Sequence, residues 1–341
     1  MLEVKNLTKY FPVTRGFFLK RRIGNIRAVD DVSFSIEKGE TVGLVGESGS
    51  GKSTTANTIL KLLEPTSGTI YFEGMDVTRT NGKEVQLFRK RTGAVFQDPY
   101  SSLDPRKNIS QIISEPLAIH HWGTREERMS RVLELLDRIG LSASDARKYP
   151  HQFSGGQRQR IAIARALALT PSLIVADEAV SALDVSVQAK ILNLFMDIQR
   201  EFNVSYLFIT HDLSVLRHIG DKVIVMYLGK IVEFGNVNDI YSHALHPYTR
   251  ALLQSIPLPN PKLMKERVFQ PLKGEIPSPM NPPSGCRFRL RCPYAQPKCA
   301  ESVPLLRETT EHHHVACHYW QEINDGKIVS QNSIEKEPVV T

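Results

Sequence analysis

Gly46-Glu47-Ser48-Gly49-Ser50-Gly51-Lys52-Ser53 is the stretch on which the fold turns. It fits G-x-x-x-x-G-K-[ST], directly after the apolar run Thr41–Val45 and directly before the helical run Thr54–Leu63, a strand–loop–helix setting that cradles phosphate. Glycines at these offsets let backbone N–H groups turn inward around the β- and γ-phosphates of a nucleotide, and the start of the next helix adds positive potential. Lys52 supplies a point charge, Ser53 a hydroxyl for Mg2+, and Thr54 continues the cradle into the helix. Glycine-rich turns also occur as plain structural corners, but Lys-Ser at this offset points to nucleotide binding.

Outward from the cradle, residues 1 to about 240 alternate short apolar runs with amphipathic stretches, the pattern of a parallel sheet covered by helices. Strands are expected at Thr41–Val45, Gly93–Phe96, Leu173–Ala176, Ser205–Thr210 and Lys222–Tyr227. A helix over Met129–Ile139 sets Val132, Leu133, Leu135, Leu136 and Ile139 near one face and stops at Gly140; another over Gly156–Leu169 runs into Pro171. With 341 residues, 41% of them hydrophobic, the chain has material for real cores, which excludes disorder as the dominant state. The surplus of 43 Lys and Arg over 36 Asp and Glu is mild, and a solvated surface accounts for it as well as nucleic acid, phosphate ligands or anionic lipid do. No apolar run approaches the roughly 18 to 20 residues that span a bilayer. Met1-Leu2-Glu3-Val4-Lys5 lacks the apolar core of a signal peptide, so a cytosolic location without disulfides is expected.

Ser172-Leu173-Ile174-Val175-Ala176-Asp177-Glu178 is an apolar strand ending in two carboxylates, expected to lie beside the cradle. Asp177 is suited to hold Mg2+ through water, and Glu178 to accept a proton from the attacking water as general base. Taken alone, such a strand end is more often a solvated acidic turn; the upstream cradle reverses that preference. His211, in Ile209-Thr210-His211-Asp212, is placed to donate a hydrogen bond to a γ-phosphate or is an incidental surface histidine.

Phe153-Ser154-Gly155-Gly156-Gln157-Arg158-Gln159-Arg160, about twenty residues before the acidic strand, resembles the signature motif of ATP-binding cassette (ABC) proteins. Gln97 in Val95-Phe96-Gln97-Asp98-Pro99 resembles the Q-loop, Ser181-Ala182-Leu183-Asp184 the D-loop, and His211 the switch histidine. Leu7-Thr8-Lys9-Tyr10-Phe11 looks like the segment whose ring stacks on adenine, with Phe11 favoured over Tyr10. The resemblance covers residues 1 to about 320. It implies an α/β P-loop NTPase of the ABC type: a parallel-sheet core, an N-terminal antiparallel β-subdomain and an inserted helical subdomain over residues 98–165. It also implies catalytic roles for Glu178, His211 and Gln97, with Gln97 joining Ser53 and Asp177 at Mg2+. Ser154, Gly155, Gly156 and Gln157 open a helix and offer N–H groups to the γ-phosphate held by an opposing subunit, so each ATP is sandwiched across a dimer.

Tyr149-Pro150-His151, Ser101-Ser102-Leu103-Asp104-Pro105 and His246-Pro247-Tyr248-Thr249 resemble, more narrowly, ATPase subunits of oligopeptide and dipeptide importers. The insertion Phe17–Ile26 looks more like the second of the two paired ATPases in such importers. The implied partners are a second homologous ATPase in a heterodimer, two transmembrane permease subunits and an extracytoplasmic solute-binding protein, with the chain peripheral on the cytoplasmic face of the cell membrane and no nucleic acid bound. The competing function, a soluble ABC ATPase acting on nucleic acid or ribosomes, generally brings two cassettes or a long coiled-coil insertion, and neither is present. Two departures are Ala179, where proline usually follows the catalytic glutamate, and Ser50, where many relatives have cysteine; neither touches a reacting group.

The ATPase domain is expected over residues 1–245. Eight of the 20 prolines fall in Pro257–Pro283, which marks an extended connector, taken as 246–283. A small irregular domain over 284–322 holds all four cysteines, and 323–341 reads as a disordered tail. Cys286, Cys292, Cys299 and Cys317 lack the close pairs of zinc ribbons. Arg287, Arg289 and Arg291 would offset the charge of a thiolate-bound cluster, and some of the importer ATPases that the chain resembles carry a 4Fe-4S cluster here; zinc, and free or disulfide-linked cysteines, stay open as alternatives. His312, His313, His314 and His318 lie close enough in sequence to substitute as ligands, but read rather as a solvated loop. Because the core folds around its own sheet, loss of the cluster is expected to loosen this extension while leaving ATP binding largely intact.

Overall fold

The fold is that of a computed structural model describing residues 1–15, 21–256, 272 and 274–330. Its strands in chain order are β1 (Leu2–Arg15), β2 (Arg21–Ile36), β3 (Thr41–Val45), β4 (Ser67–Phe72), β5 (Met75–Asp76) and β6 (Thr92–Val95). They continue with β7 (Leu173–Asp177), β8 (Ser205–Thr210), β9 (Lys222–Tyr227), β10 (Lys230–Asn236), β11 (Arg307–Thr310) and β12 (His313–Val315).

The main sheet runs β11-β12-β10-β9-β3-β8-β7-β6, with β6, β7, β8, β3 and β9 parallel and the rest antiparallel. Side chains alternate across the parallel part: Leu173 and Val175, Leu207 and Ile209, Ile224 and Met226 enter one core, while Ile174 and Ala176, Tyr206 and Phe208, Val223 and Val225 enter the other. Burial on both faces is why these strands read as unbroken apolar runs. The first core is shared with the antiparallel sheet β2-β1-β4-β5 through Leu2, Val4, Ile36, Ile70 and Phe72. The second is covered by helices, among them three inserted between β6 and β7: Ile109–Ile119, Arg125–Arg138 and Gly155–Leu167. Each of these three starts on a reciprocal capping box, Asn108 with Gln111, Thr124 with Glu127 and Ser154 with Gln157, which satisfies the first free N–H groups.

Three expectations change in the C-terminal third. The interval 246–283 is not extended throughout: Pro247–Ser255 is a helix, with Pro247 at its first position where proline's missing N–H costs nothing. Most of the proline-rich stretch, residues 257–271 and 273, lies outside the described residues, as do residues 16–20 of the N-terminal insertion and 331–341 of the tail; within 323–330 the helix Trp320–Asn324 reaches into the tail. The cysteine-bearing segment does not stand apart, because β12 pairs with β10 and so extends the ATPase sheet. Nor is the histidine run wholly solvated. His313 is buried and its Nε2 lies 2.8 Å from Oε1 of the fully buried Glu233, whose carboxylate also accepts from the N–H groups of Leu245 and His246. A carboxylate out of water needs such partners, and they sit where the late strands close on the sheet.

Candidate functional site

The C-terminal ends of the parallel strands open into one cleft of about 850 Å3, lined by the cradle residues Gly46 to Gly49 and Gly51 to Thr54 and by Phe11, Gln97, Glu178 and His211. Strand order dictates this meeting: β3 ends in the cradle, β8 in His211, β7 in Asp177 and β6 just before Gln97. The acidic strand was expected beside the cradle, and its Asp177 meets Ser53 there, although β8 lies between β3 and β7 and so inserts His211 between Lys52 and Glu178 in the order of the edge.

The cradle's backbone requires glycine at two places. Gly51 has φ +108, and a Cβ there would lie 2.2 Å from the carbonyl oxygen of Ala28; Gly46 has φ +153 and a Cβ would lie 2.3 Å from that of Met226. The ammonium of Lys52 donates to the carbonyls of Gly46 at 2.7 Å and Glu47 at 3.0 Å. Burial pushes its pKa down, opposed by the charges of Glu178, Asp177 and Glu47. Ser50 points into the protein, its hydroxyl buried without a hydrogen-bond partner, so a thiol there would lose no bond.

Ser53 Oγ donates to Asp177 Oδ1 at 3.2 Å. This hydroxyl, from the first turn of the helix Lys52–Ile59, and this carboxylate, from the end of β7, are the donor types a small hard cation takes. Burial pushes the Asp177 pKa up, partly offset by the Ser53 hydrogen bond. Glu178 adopts φ +48, a left-handed conformation that a non-glycine residue takes at a cost. Its N–H donates to the Ile209 carbonyl at 2.9 Å, so the strain is held by the neighbouring strand. Gln97 Nε2 donates to Glu178 Oε2 at 2.8 Å, and His211 Nδ1 lies 3.6 Å from the same oxygen.

Of the two candidate aromatics, Phe11 lines the cleft. The hydroxyl of Tyr10 instead donates to Asp30 at 2.7 Å and its ring lies under Arg27. Ser154, Gly155, Gly156 and Gln157 do not line the cleft. Ser154 and Gln157 are exposed, and the capping box they form presents the start of the helix Gly155–Leu167 outward. Gly156 is fixed by packing: a Cβ would lie 2.4 Å from Val187.

Sequence reasoning missed Ile26, Ala28, Leu252, Ser255 and Pro279, which complete the cleft's wall. No local pattern flags them, because the backbone N–H of Arg27 meets the carbonyl of Pro279 only once the chain has folded back across the domain.

Near the far edge of the sheet the four cysteines converge. The Cys286 N–H donates to the Cys299 carbonyl at 2.7 Å. Burial pushes Cys286 up to about 11 and Cys317 up to about 12, with Cys292 raised as well, and their mutual proximity pushes the same way. Among the described residues, no group of three or more His, Cys, Asp or Glu is arranged to hold one metal ion. The arginines expected to neutralise a cluster are mostly engaged elsewhere: Arg287 pairs with Asp30 and Arg291 with Glu47, leaving Arg289 beside Cys286.

Among known proteins, the family described as ABC transporter matches residues 29–181, and that described as oligopeptide/dipeptide transporter, C-terminal region, matches residues 232–299. The oligopeptide transport ATP-binding protein AppF of Bacillus subtilis is 52% identical over 323 residues, which are 94% of this chain and 97% of the relative. The probable peptide ABC transporter ATP-binding protein y4tS of Sinorhizobium fredii is 50% identical over 318 residues, 93% of this chain and 89% of the relative. The solved dimeric structure of a post-hydrolysis state of the ATP-binding cassette MJ0796, bound to ADP and Pi, superposes with a TM-score of 0.61 at 34% identity, covering 70% of this chain and 99% of that one.

Proposed function

This chain belongs to the ABC transporter family, as an ATP-binding subunit of the oligopeptide and dipeptide importers, and from that premise we propose how its cleft drives uptake. The activity is ATP hydrolysis coupled to peptide import. ATP lies in the cradle with Phe11 against adenine and Lys52 on the phosphates. Ser53, Asp177 and Gln97 would hold Mg2+, which neutralises charge on the β- and γ-phosphates. Glu178 takes the proton of the attacking water, and His211 and Gln97, both within reach of its carboxylate, orient water and γ-phosphate.

The outward-facing helix start at Ser154 supports a sandwich with a second, homologous ATPase, the nucleotide held between one subunit's cradle and the other's signature segment. The two transmembrane permeases are read as docking through short cytoplasmic helices on the surface around Gln97 and residues 99–149, where Ile119 is exposed. An extracytoplasmic solute-binding protein delivers the peptide. Among the described residues no helix is long and apolar enough to cross a membrane, which fits a peripheral subunit on the cytoplasmic face.

The observation that carries this reading is the peptide-transporter match over residues 232–299 on a chain whose sheet edge gathers Lys52, Asp177, Glu178 and His211. The test is ATP-driven uptake of labelled peptides into vesicles carrying both permeases and both ATPases. Lys52→Ala should abolish uptake; peptide uptake indifferent to this chain, or hydrolysis stimulated by nucleic acid instead of by the permeases, would overturn it.

The four cysteines are read as the ligands of a 4Fe-4S cluster that staples the late strands to the sheet. Their burial and mutual approach support this reading. Iron and sulfide analysis of anaerobically purified protein should give roughly four irons and matching sulfide per chain. Stoichiometric zinc, or four titratable thiols without metal, would rule the cluster out.

A further inference from the structure

Glu47, the second residue of the cradle, is gripped by residues far downstream. Its backbone N–H donates to Tyr248 Oη at 2.8 Å, across 201 positions of sequence. Its carboxylate accepts both arms of the Arg291 guanidinium, Nη1 to Oε2 at 2.6 Å and Nη2 to Oε1 at 3.1 Å, across 244 positions. Its carbonyl accepts from Lys52 Nζ at 3.0 Å and from the Ser50 N–H at 3.1 Å. Every polar group of Glu47 is therefore committed, and the Gly46–Glu47 peptide, whose carbonyl accepts from Lys52 Nζ at 2.7 Å, cannot rotate without breaking the bond of its N–H to Tyr248.

The grip is rigid because its far end is packed. The Arg291 side chain is 8% exposed and Glu47 25%, so the two-pronged pair is partly desolvated and stronger than a surface pair. Tyr248 is fully buried, its ring centroid 4.8 Å from that of Tyr227 and 5.4 Å from that of Phe288. Phe288 precedes Arg291 in a turn closed by the Arg291 N–H to the Phe288 carbonyl at 2.9 Å. Arg287, at the start of that turn, is anchored on the Leu228 carbonyl and on Asp30. A segment between the first two cysteines is thus fastened to the ATPase at Asp30, Leu228 and Glu47.

We propose that Arg291 and Tyr248 are positioning residues for nucleotide binding: they hold Glu47, and through it the Lys52-bearing loop, in the shape that receives the phosphates. The proposal rests on the cleft being the ATP site. A loop already ordered before the ligand arrives gives up less conformational freedom on binding, so the grip acts on affinity and not on the chemical step. It also links the four-cysteine segment to the cradle, where the sequence alone suggested that loosening this segment leaves ATP binding largely intact.

The test is titration of the full-length chain with the fluorescent analogue mant-ATP, paired with steady-state hydrolysis. Arg291→Ala should raise the Kd for mant-ATP and the KM for ATP roughly tenfold, a usual size for coupling between two sites, with kcat at saturating ATP within about twofold of the parent. Tyr248→Phe, which removes only the hydroxyl, and Arg291→Lys, which keeps the charge but not the fork, should each weaken binding several-fold. Combined, Arg291→Ala and Tyr248→Phe should cost less than the product of their separate effects, since both act on Glu47. A plain structural anchor would lower the unfolding temperature without moving Kd. If Arg291→Lys and Tyr248→Phe both bind mant-ATP as the parent does, the proposal is wrong, even should Arg291→Ala fail to fold. Failure of the parent itself to bind mant-ATP would instead overturn the ATP site, and the grip with it.

Discussion

Glu178→Gln should bind ATP as tightly as the parent and hydrolyse it about 10²-fold more slowly or worse, the usual cost of losing a general base. The substitution keeps the side chain's size and leaves a carbonyl to accept from Gln97, whose Nε2 now donates to Glu178 Oε2 at 2.8 Å. It removes the basic oxygen that also faces His211 at 3.6 Å. The left-handed backbone at φ +48 is held by the Ile209 carbonyl and not by the carboxylate, so the local geometry should survive. Single-turnover phosphate release, measured beside mant-ATP binding, separates the two quantities. Near-parental release would remove Glu178 from the chemical step and leave Gln97 or His211 to organise it.

Ser154→Asp should slow hydrolysis at the partner's site by tenfold or more while leaving this subunit's fold nearly as stable as before. Aspartate caps a helix about as well as serine, so the bond that Ser154 Oγ now accepts from the Gln157 N–H at 3.3 Å has a substitute. The added charge lies at a helix start proposed to face the γ-phosphate of the opposing cradle, where a fixed negative charge opposes the anion and its loss of donors is felt most in the transition state. Trapping nucleotide with one cradle disabled at a time tests the arrangement. Impairment should appear at the site whose lysine belongs to the partner; impairment confined to the Lys52 site would mean the signature segment serves its own cradle.

The cradle, the acidic strand end and the signature segment were legible because each is a local pattern with a local cause. Glycine at positive φ, an apolar run ending in carboxylates, and a serine three residues before a glutamine at a helix start each satisfy backbone constraints within a few residues. The parallel sheet was legible for the same reason, since strands buried on both faces must be apolar throughout. Phe11 was favoured over Tyr10 on the sequence, but the reason Tyr10 is drawn elsewhere needed the fold, because its hydroxyl bonds Asp30 on the neighbouring strand. So did the position of His211 between the cradle and Glu178, which strand order alone sets.

The three arginines around Cys292 mark where sequence reasoning stops. As a string, Arg287, Arg289 and Arg291 read as counter-charges for the cysteines they flank. In the folded chain Arg287 reaches Asp30 and Arg291 reaches Glu47, over separations of 257 and 244 residues. By itself the sequence determined the parallel strands and the glycine-rich cradle with the polar residues that follow the strand ends, because backbone geometry and burial act on neighbours along the chain. Only the tertiary structure decided which late residues hold that cradle, because a charged side chain pairs with whatever partner the packing of distant segments brings within reach while shielding both from water.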